Sequence, residues 1–559
     1  MSAAEPNSGA GAKNDGDSAA QHLGQMEAPR AGQSSSAAFG LFPQLIAVSQ
    51  KKPDAPAIID GGTKFSYGDL VARVDAFSDE LTAAGVKPLD RVALVCGNCK
   101  EFFVAAFAAW NRGAVLVPLN PLLQQNELLR YILDSSPCVA VTQFHESPMI
   151  SSLQTKGASF RHVWLSEGTQ HSEDAAVDED VRPAEIIPPS PISANWPAII
   201  QYSTGSTGYP KRVTRTHAQL LGESLAFSGT LKMTGDDRVL GVAPFFHSHG
   251  LMNSAMLSLL TGSTLYAVDA FFPRDIAKLI ERERISGYPG VPFMFQQLAG
   301  LPERYDFSSL RFVFSGGVPL PEQTAQAFEA TYSIRIRELY GSTETGVICG
   351  QVGDPVDDSF GCVGRPFPGI SVRIVDEHGH PVPEGTAGRV QITSRYAATR
   401  YDNTSGNSES YFADGAFNPG DVGRIAASGE LVLSGRHRGF INVGGYKVDP
   451  AEVEAVLLEL TGVREAIVFG VPDNVVGEKV KAVLVASSDL SSAEVRAHLM
   501  PRLSEFKHPR LLEFRKGLPR SPLGKILRKH LMEEPADGIL QSPAEATHPH
   551  SSSPRTAKL

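Results

Sequence analysis

The sequence has no apolar run near the ~20 residues that a bilayer-spanning helix requires, and no charged-then-apolar leader pattern opens it. No stable membrane association is expected, and the chain reads as cytoplasmic. Cysteine is scarce: Cys96, Cys99, Cys138, Cys349 and Cys362 are odd in number and scattered, which fits a reducing compartment better than a disulfide framework. Cys96-Gly97-Asn98-Cys99 is a lone CxxC without a second pair or nearby histidine ligands, so its spacing does not make a metal site. Basic residues are outnumbered, 51 Lys and Arg against 61 Asp and Glu. A net charge of −10 argues against a nucleic-acid partner, because such binders need a basic face to neutralise phosphates.

What is present is an ordinary globular composition, 42% hydrophobic and 20% charged, over 559 residues, too many for one core. Residues 1–37 are rich in Ala, Gly, Ser and Asn, and residues 535–559 in Pro, Ser, Thr and His. Neither stretch has periodic apolar positions, so both are expected to be disordered tails. Ala557-Lys558-Leu559 resembles a peroxisomal address, which matters only in a cell that has peroxisomes.

Between the tails, short apolar runs alternate with helical patterns, the signature of largely parallel α/β sheets. Leu70, Val74, Phe77 and Leu81 follow helical spacing, while Arg91 to Val95 and Val115 to Leu119 read as strands. Phe103, Phe107 and Trp110 form an aromatic stripe that core packing explains. Residues 146–195, polar and punctuated by proline, read as a surface excursion. Alternation resumes at Val239 to Val242 and Arg311 to Phe314. Short strands with Gly/Pro turns over about 355–434 suggest a small β-barrel or distorted sheet. Beyond Gly435, Asp449-Pro450-Ala451-Glu452 and Ser491 to Glu494 carry helix-start signals around strands at Val463 to Val468 and Val480 to Val485. The expected fold is therefore α/β, with a large multi-subdomain part over 38–436 and a small α+β domain over 437–534.

Tyr202 to Lys211 concentrates hydroxyls, glycines and one lysine after the apolar run Ala198-Ile199-Ile200. Glycines let backbone N–H groups approach oxygens, hydroxyls donate, and the lysine supplies charge, so the stretch suits phosphate. Taken alone, it reads equally as a Ser/Gly turn. A Walker A loop is disfavoured, since Pro210 replaces the glycine before Lys211 and Arg212 replaces the metal-binding Ser/Thr.

A series of further motifs, Ser315-Gly316-Gly317-Val318-Pro319, Tyr340-Gly341-Ser342-Thr343-Glu344, Pro419-Gly420-Asp421, Ser434-Gly435-Arg436 and Pro519 to Lys525, follows that loop. In this order they resemble the adenylate-forming superfamily of acyl- and aryl-CoA synthetases, peptide-synthetase adenylation domains and luciferases. The resemblance runs from about residue 55 to 531. It implies an ATP-dependent acid:CoA ligase that forms an acyl-adenylate with loss of pyrophosphate, then a thioester with loss of AMP. It places ATP against Ser203, Thr204, Gly205, Ser206, Thr207, Gly208 and Lys211, and against Gly316, Gly317, Val318 and Pro319. Further nucleotide contacts fall on Glu338, Leu339, Tyr340, Gly341 and Ser342, on Asp421 and Arg436 at the ribose, and on Lys447. Thr343 reaches the α-phosphate, Glu344 holds Mg²⁺, as a hard cation prefers a carboxylate, and Lys525 supports the transition state.

Pro244-Phe245-Phe246-His247-Ser248-His249-Gly250 resembles the family's acyl-pocket wall, making Phe246, His247 and Gly341 pocket residues and giving His247 a catalytic place. Gly444, Gly445 and Tyr446 match the thiol tunnel. Arg438 stands where the family hinge carries aspartate or lysine, and the small domain is expected to turn about it. His247 to Met256 holds no acid of the kind that binds an α-ammonium, which favours acids without an α-amino group. A diacid would need a buried cation, and Arg274, Arg284 and Arg311 are the candidates to place. The acceptor is CoA or the same thiol arm on a carrier protein; a non-catalytic AMP-binding module is disfavoured by retention of Lys525.

Overall fold

Apolar β-branched runs bounded by Gly and Pro turns do assemble into sheets, four among the described residues, and helices connect strands of all but the third. The computed structural model describes residues 39–143, 148–156, 158–165, 192–203, 210–353, 361–376, 378–403, 411–413, 415–436, 441–486, 490–519 and 531.

The first sheet is centred on Arg91–Val95, flanked in parallel by Val115–Leu119 and Val139–Thr142. Pro197–Ser203 adds in parallel to Val115–Leu119 and then turns back, antiparallel, as Lys211–Thr216. That return excludes a Walker A loop, which opens into a helix. The region 146–195 is not wholly a surface excursion: Pro148–Thr155 is a helix, and Arg161–Trp164 is an edge strand paired to Val139–Thr142. Only four residues long, that strand is too short for its alternation to stand out from the polar sequence around it.

Tyr67–Ala83 begins at a capping box between Ser66 and Asp69 and buries Leu70, Val74, Phe77 and Leu81. It packs beside Lys100–Asn111, whose Phe103, Phe107 and Trp110 are wholly buried. The Trp110 indole N–H donates to Ala198 O at 2.7 Å, fastening the aromatic helix to the strand that leads toward the phosphate loop.

The second, nine-stranded sheet runs parallel through Pro56–Asp60, Thr264–Ala267, Arg238–Gly241, Gly287–Gly290, Phe312–Ser315 and Arg337–Ser342. Gly346–Gly350 adds to it in antiparallel fashion, with the short edge strand Arg365–Pro366 beyond. The third is antiparallel, with Ile370–Val375, Gly388–Ser394, Asp421–Ile425 and Leu431–Arg436. The fourth draws on residues 441–515: the long hairpin of Val463–Asp473 with Gly477–Ala486, the parallel strand Leu511–Arg515, and the short hairpin Ile441–Val443 with Tyr446–Val448. Pro450–Leu458 and Ser492–Leu499 cover it around a core of its own. Ligands in sheets of this kind sit at the carboxyl ends of the parallel strands, and the motifs gather there.

Candidate active site

Ser203 ends one strand and Lys211 begins the next, as direct partners across the hairpin. Lys211 is buried, its ammonium 3.5 Å from the ring centre of Tyr411 and 4.8 Å from that of Tyr401, an aromatic cage that holds a cation without neutralising it. The Tyr401 O–H donates to Glu344 Oε1 at 2.6 Å. Burial, then the Glu344 carboxylate, drives the Tyr401 phenol well above its ordinary value, so it stays a donor.

Glu344 stands in a tight turn between Arg337–Ser342 and Gly346–Gly350, with Ser342 Oγ and Thr345 Oγ1 2.9 Å apart across its base. Gly346 has φ +71°, and a Cβ there would lie 2.3 Å from the Glu223 carboxyl. Glycine is required on both counts. Behind the turn, Glu223 accepts from Val347 N at 2.8 Å and pairs with wholly buried Arg215. Thr343 shares the turn and is half-buried. Among the described residues no three His, Cys, Asp or Glu side chains cluster to hold a metal. The donor set fits Mg²⁺ bound by one carboxylate, Glu344, with phosphate oxygens and water for the rest.

At the other end of the same strand, the Tyr340 O–H donates to Asp421 Oδ2, and Asp421 is buried opposite Arg436 across the third sheet. The Ser315–Pro319 turn lies next to Glu338, whose Oε2 accepts from Leu320 N at 3.2 Å. Burial raises the Glu338 carboxyl to about 7. Gly317 has φ +86°, and a Cβ on Gly316 would come 2.8 Å from the His249 ring. Leu339 packs its side chain into the core beneath, leaving backbone groups for any ligand. Gly341 lies against the Gly346 carbonyl, 2.5 Å from where a Cβ would stand.

His247 is exposed and lies beside Phe246, ring centres 4.5 Å apart, with other protein groups crowded around its ring. Its pKa falls to about 4 through that enclosure, with Lys447 and His249 adding repulsion. His249 Nε2 faces Gly290 O at 3.0 Å and must donate; its Nδ1 then accepts from Asn253 Nδ2 at 2.9 Å. Burial lowers this ring as well to about 4, so the wall it forms is neutral. Lys447 belongs to the Ile441–Val448 hairpin, whose Gly444 (φ +59°) and Gly445 (φ +93°) make a tight two-residue turn. A Cβ on Gly445 would lie 3.2 Å from Val291 Cγ2, so the turn reaches the cleft wall.

Asn98 sets the height of this wall. Its Nδ2 donates to Ala243 O at 3.0 Å and Val268 O at 3.2 Å, its Oδ1 accepts from Phe245 N at 2.8 Å, and its backbone N donates to Asp269 at 2.7 Å. Cys96 and Cys99 flank it with sulfurs 3.3 Å apart, both buried and free. The candidate cations for a diacid point elsewhere: Arg274 pairs with Glu303, Arg284 with Asp306, and Arg311 with Asp237.

The structure thus brings Ser203, Lys211 and Glu344 together, joins Tyr340 to Asp421, and sets His247 beside Lys447. Thr204, Gly205, Ser206, Thr207, Gly208, Arg438 and Lys525 lie outside the described residues, as do both terminal tails. Sequence reasoning gave no role to Tyr401, Tyr411, Asn253 or Asn98. For Tyr401, Tyr411 and Asn98 the signal is purely spatial, since each comes from a segment distant from the residue it serves, whereas Asn253 lies only four residues beyond His249.

An AMP-binding enzyme family model matches residues 46–401, and a model of the AMP-binding enzyme C-terminal domain matches residues 452–525. A feruloyl-CoA synthase of Amycolatopsis sp is 32% identical, over 86% of this chain and 96% of that protein. A fatty acid–[acyl-carrier-protein] ligase of Streptomyces coeruleorubidus is 29% identical, over 87% and 94%. The solved o-succinylbenzoate CoA synthetase of Bacillus subtilis, bound with its product analogue, superposes with a TM-score of 0.78 at 25% identity, over 88% of this chain and 98% of that one. Among the described residues no helix is long and apolar enough to cross a membrane.

Proposed function

We propose that this chain, which belongs to the AMP-binding enzyme family, is an ATP-dependent carboxylic acid:CoA ligase acting on acids without an α-amino group. One observation carries the reading: the turn at Gly445 reaches Val291, next to Gly290, whose carbonyl faces His249, and the charge of Lys447 on the same hairpin bears on both His247 and His249. A thiol guided along that hairpin arrives at an acyl group held there.

In the first half-reaction the substrate carboxylate attacks the α-phosphorus of ATP and pyrophosphate leaves. Lys211, in its aromatic cage, and the hydroxyl of Ser203 are assigned to the departing phosphates. Glu344 would hold Mg²⁺, which would offset phosphate charge, and Thr343 is assigned to the α-phosphate. Tyr340 packs on adenine, while Asp421 and Arg436 take the ribose hydroxyls. Lys525 is assigned to the charge that builds during attack. The small domain, residues 437–534, then turns about Arg438 and presents the 444–447 hairpin, and the thiol displaces AMP. His247 and His249, both neutral, wall the pocket, and Lys447 is the cation whose charge bears on them.

A carrier-protein thiol is the second acceptor to weigh, favoured by the carrier-protein ligase among the relatives. The test is carboxylate-dependent ATP–pyrophosphate exchange over aliphatic, aromatic, hydroxy, amino and dicarboxylic acids, with thioester formation assayed on CoA alone. Exchange without CoA thioester would move the acceptor to a carrier protein. An absence of exchange with every acid would leave an AMP-binding module. Lys525→Ala should reduce exchange strongly while nucleotide binding persists.

A further inference from the structure

Glu127 lies in the helix Gln125–Ser135 of the first sheet, and Lys507 lies in the fourth-sheet domain, yet Lys507 Nζ reaches Glu127 Oε1 at 2.6 Å. Glu452 Oε1 takes a second bond from the same ammonium at 2.9 Å, and the Ser504 hydroxyl donates to Glu127 Oε2. Glu127 and Lys507 are 2% and 5% exposed, so this is an interior ion cluster formed between two domains. Burial works against the Lys507 ammonium, but the carboxylates of Glu452 and Glu127 outweigh it and raise its pKa. Removing the Glu127 charge leaves Lys507 paired with Glu452 inside its own domain and takes away the ion pair that joins the two domains.

Its position relates it to the reaction. Phe506, the neighbour of Lys507, stacks on Tyr446 with ring centres 4.6 Å apart, and Tyr446 belongs to the hairpin whose Gly445 meets Val291. The docked edge is extended by Asn126 Nδ2 donating to Pro501 O at 3.1 Å and by Gln296 Nε2 donating to Asn474 O at 3.0 Å. At its far end the Gln125–Ser135 helix holds both strands of the phosphate-loop hairpin: Tyr202 O–H donates to Asp134 Oδ2 at 2.6 Å, and Arg212 donates to Asp134 O at 2.8 Å. One helix therefore touches the phosphate hairpin at one end and the small domain at the other.

We infer that Glu127 is a positioning residue for the thiol-accepting half of the reaction, clamping Lys507 so that the 444–447 hairpin stays seated against the acyl pocket. The inference rests on the ligase reading for its kinetic arm alone. On that reading, a domain held in this orientation favours acyl transfer over adenylation, which is assigned to Lys525.

The experiment uses the full chain carrying Glu127→Gln, which keeps the shape and the helix cap while removing the charge, and Ser504→Ala as a milder variant. Acyl transfer from preformed acyl-adenylate to CoA should fall about tenfold in Glu127→Gln and a few-fold in Ser504→Ala. Pyrophosphate exchange should stay within about twofold of wild type, which also certifies folding. Equal loss in both half-reactions, or loss in neither, overturns the inference. In parallel, spin labels introduced as unnatural amino acids at exposed Leu133 and Met500 should give one narrow distance population in wild type and a second population in Glu127→Gln. Identical distributions likewise overturn it. Should wild type exchange pyrophosphate but transfer nothing to CoA, the ligase reading fails, and the label distances alone decide the clamp.

Discussion

Tyr401 donates its phenolic O–H to Glu344 Oε1 at 2.6 Å while its ring lies 4.8 Å from the Lys211 ammonium. One side chain thus orients the carboxylate assigned to Mg²⁺ and helps to cage the cation assigned to phosphate. Tyr401→Phe keeps the ring and frees the carboxylate to rotate. Losing a hydrogen bond to a charged group costs about 1.5–3 kcal/mol, so exchange at limiting Mg²⁺ should fall roughly tenfold or more and recover partly at high Mg²⁺. A Mg²⁺ titration of pyrophosphate exchange checks this; an unchanged Mg²⁺ dependence would detach Tyr401 from Glu344.

The depressed histidines make a prediction about acid. Burial holds His217 and His249 down to about 4, against an ordinary value of 6.5. An unfolded chain takes up these protons first as pH falls from 6.5 to 4, so folding stability is fully present above about 6.5 and declines through that window. For wholly buried His217 the loss is on the order of 3 kcal/mol. Urea midpoints at pH 7.5 and 5 should show the decline in wild type, and His217→Phe or His249→Gln should each flatten it. A parallel curve for either variant would show that its ring does not titrate this way.

Much of this was legible in the sequence. The helix with Leu70, Val74, Phe77 and Leu81 follows from spacing, and the strands Arg91–Val95 and Val115–Leu119 from apolar β-branched runs. Lys211, Glu344, Tyr340 and Asp421 could be picked out because each sits in a short contiguous motif. Tyr401 and Asn98 could not, because their meaning lies in partners 57 and 147 residues away along the chain. The edge strand Arg161–Trp164 escaped for a different reason, since four residues carry too little periodicity to stand out.

Asn98 gives the third prediction. Its side chain joins the end of the first sheet to the segment that delivers Phe246 and His247, with bonds to Phe245 N, Ala243 O and Val268 O. Asn98→Ala leaves those backbone groups buried without their partner, a cost of about 1–3 kcal/mol for each unsatisfied group. The acyl-pocket wall should loosen more than the nucleotide end. KM for the acid should therefore rise at least several-fold while KM for ATP changes little. Equal changes in both would mean that Asn98 serves the fold as a whole.

Glu338 acts in the opposite sense to the histidines. Burial raises its carboxyl from 4.5 to about 7, although the Leu320 N–H favours the ionised form. The unfolded chain releases this proton first as pH rises from 4.5, so the native state holds more protons across the window. Stability must then decline as pH rises through it. The full effect is on the order of 3 kcal/mol once the group is ionised. Glu338→Gln keeps an acceptor for Leu320 N and removes the charge. It should match wild type near pH 5 and exceed it at pH 8.5, whereas the histidine variants converge on their flattened curves from the acid side. Melting temperatures at those two pH values separate the effects. If Glu338→Gln gains nothing at pH 8.5, the Leu320 N–H stabilises the carboxylate enough to cancel the cost of its burial.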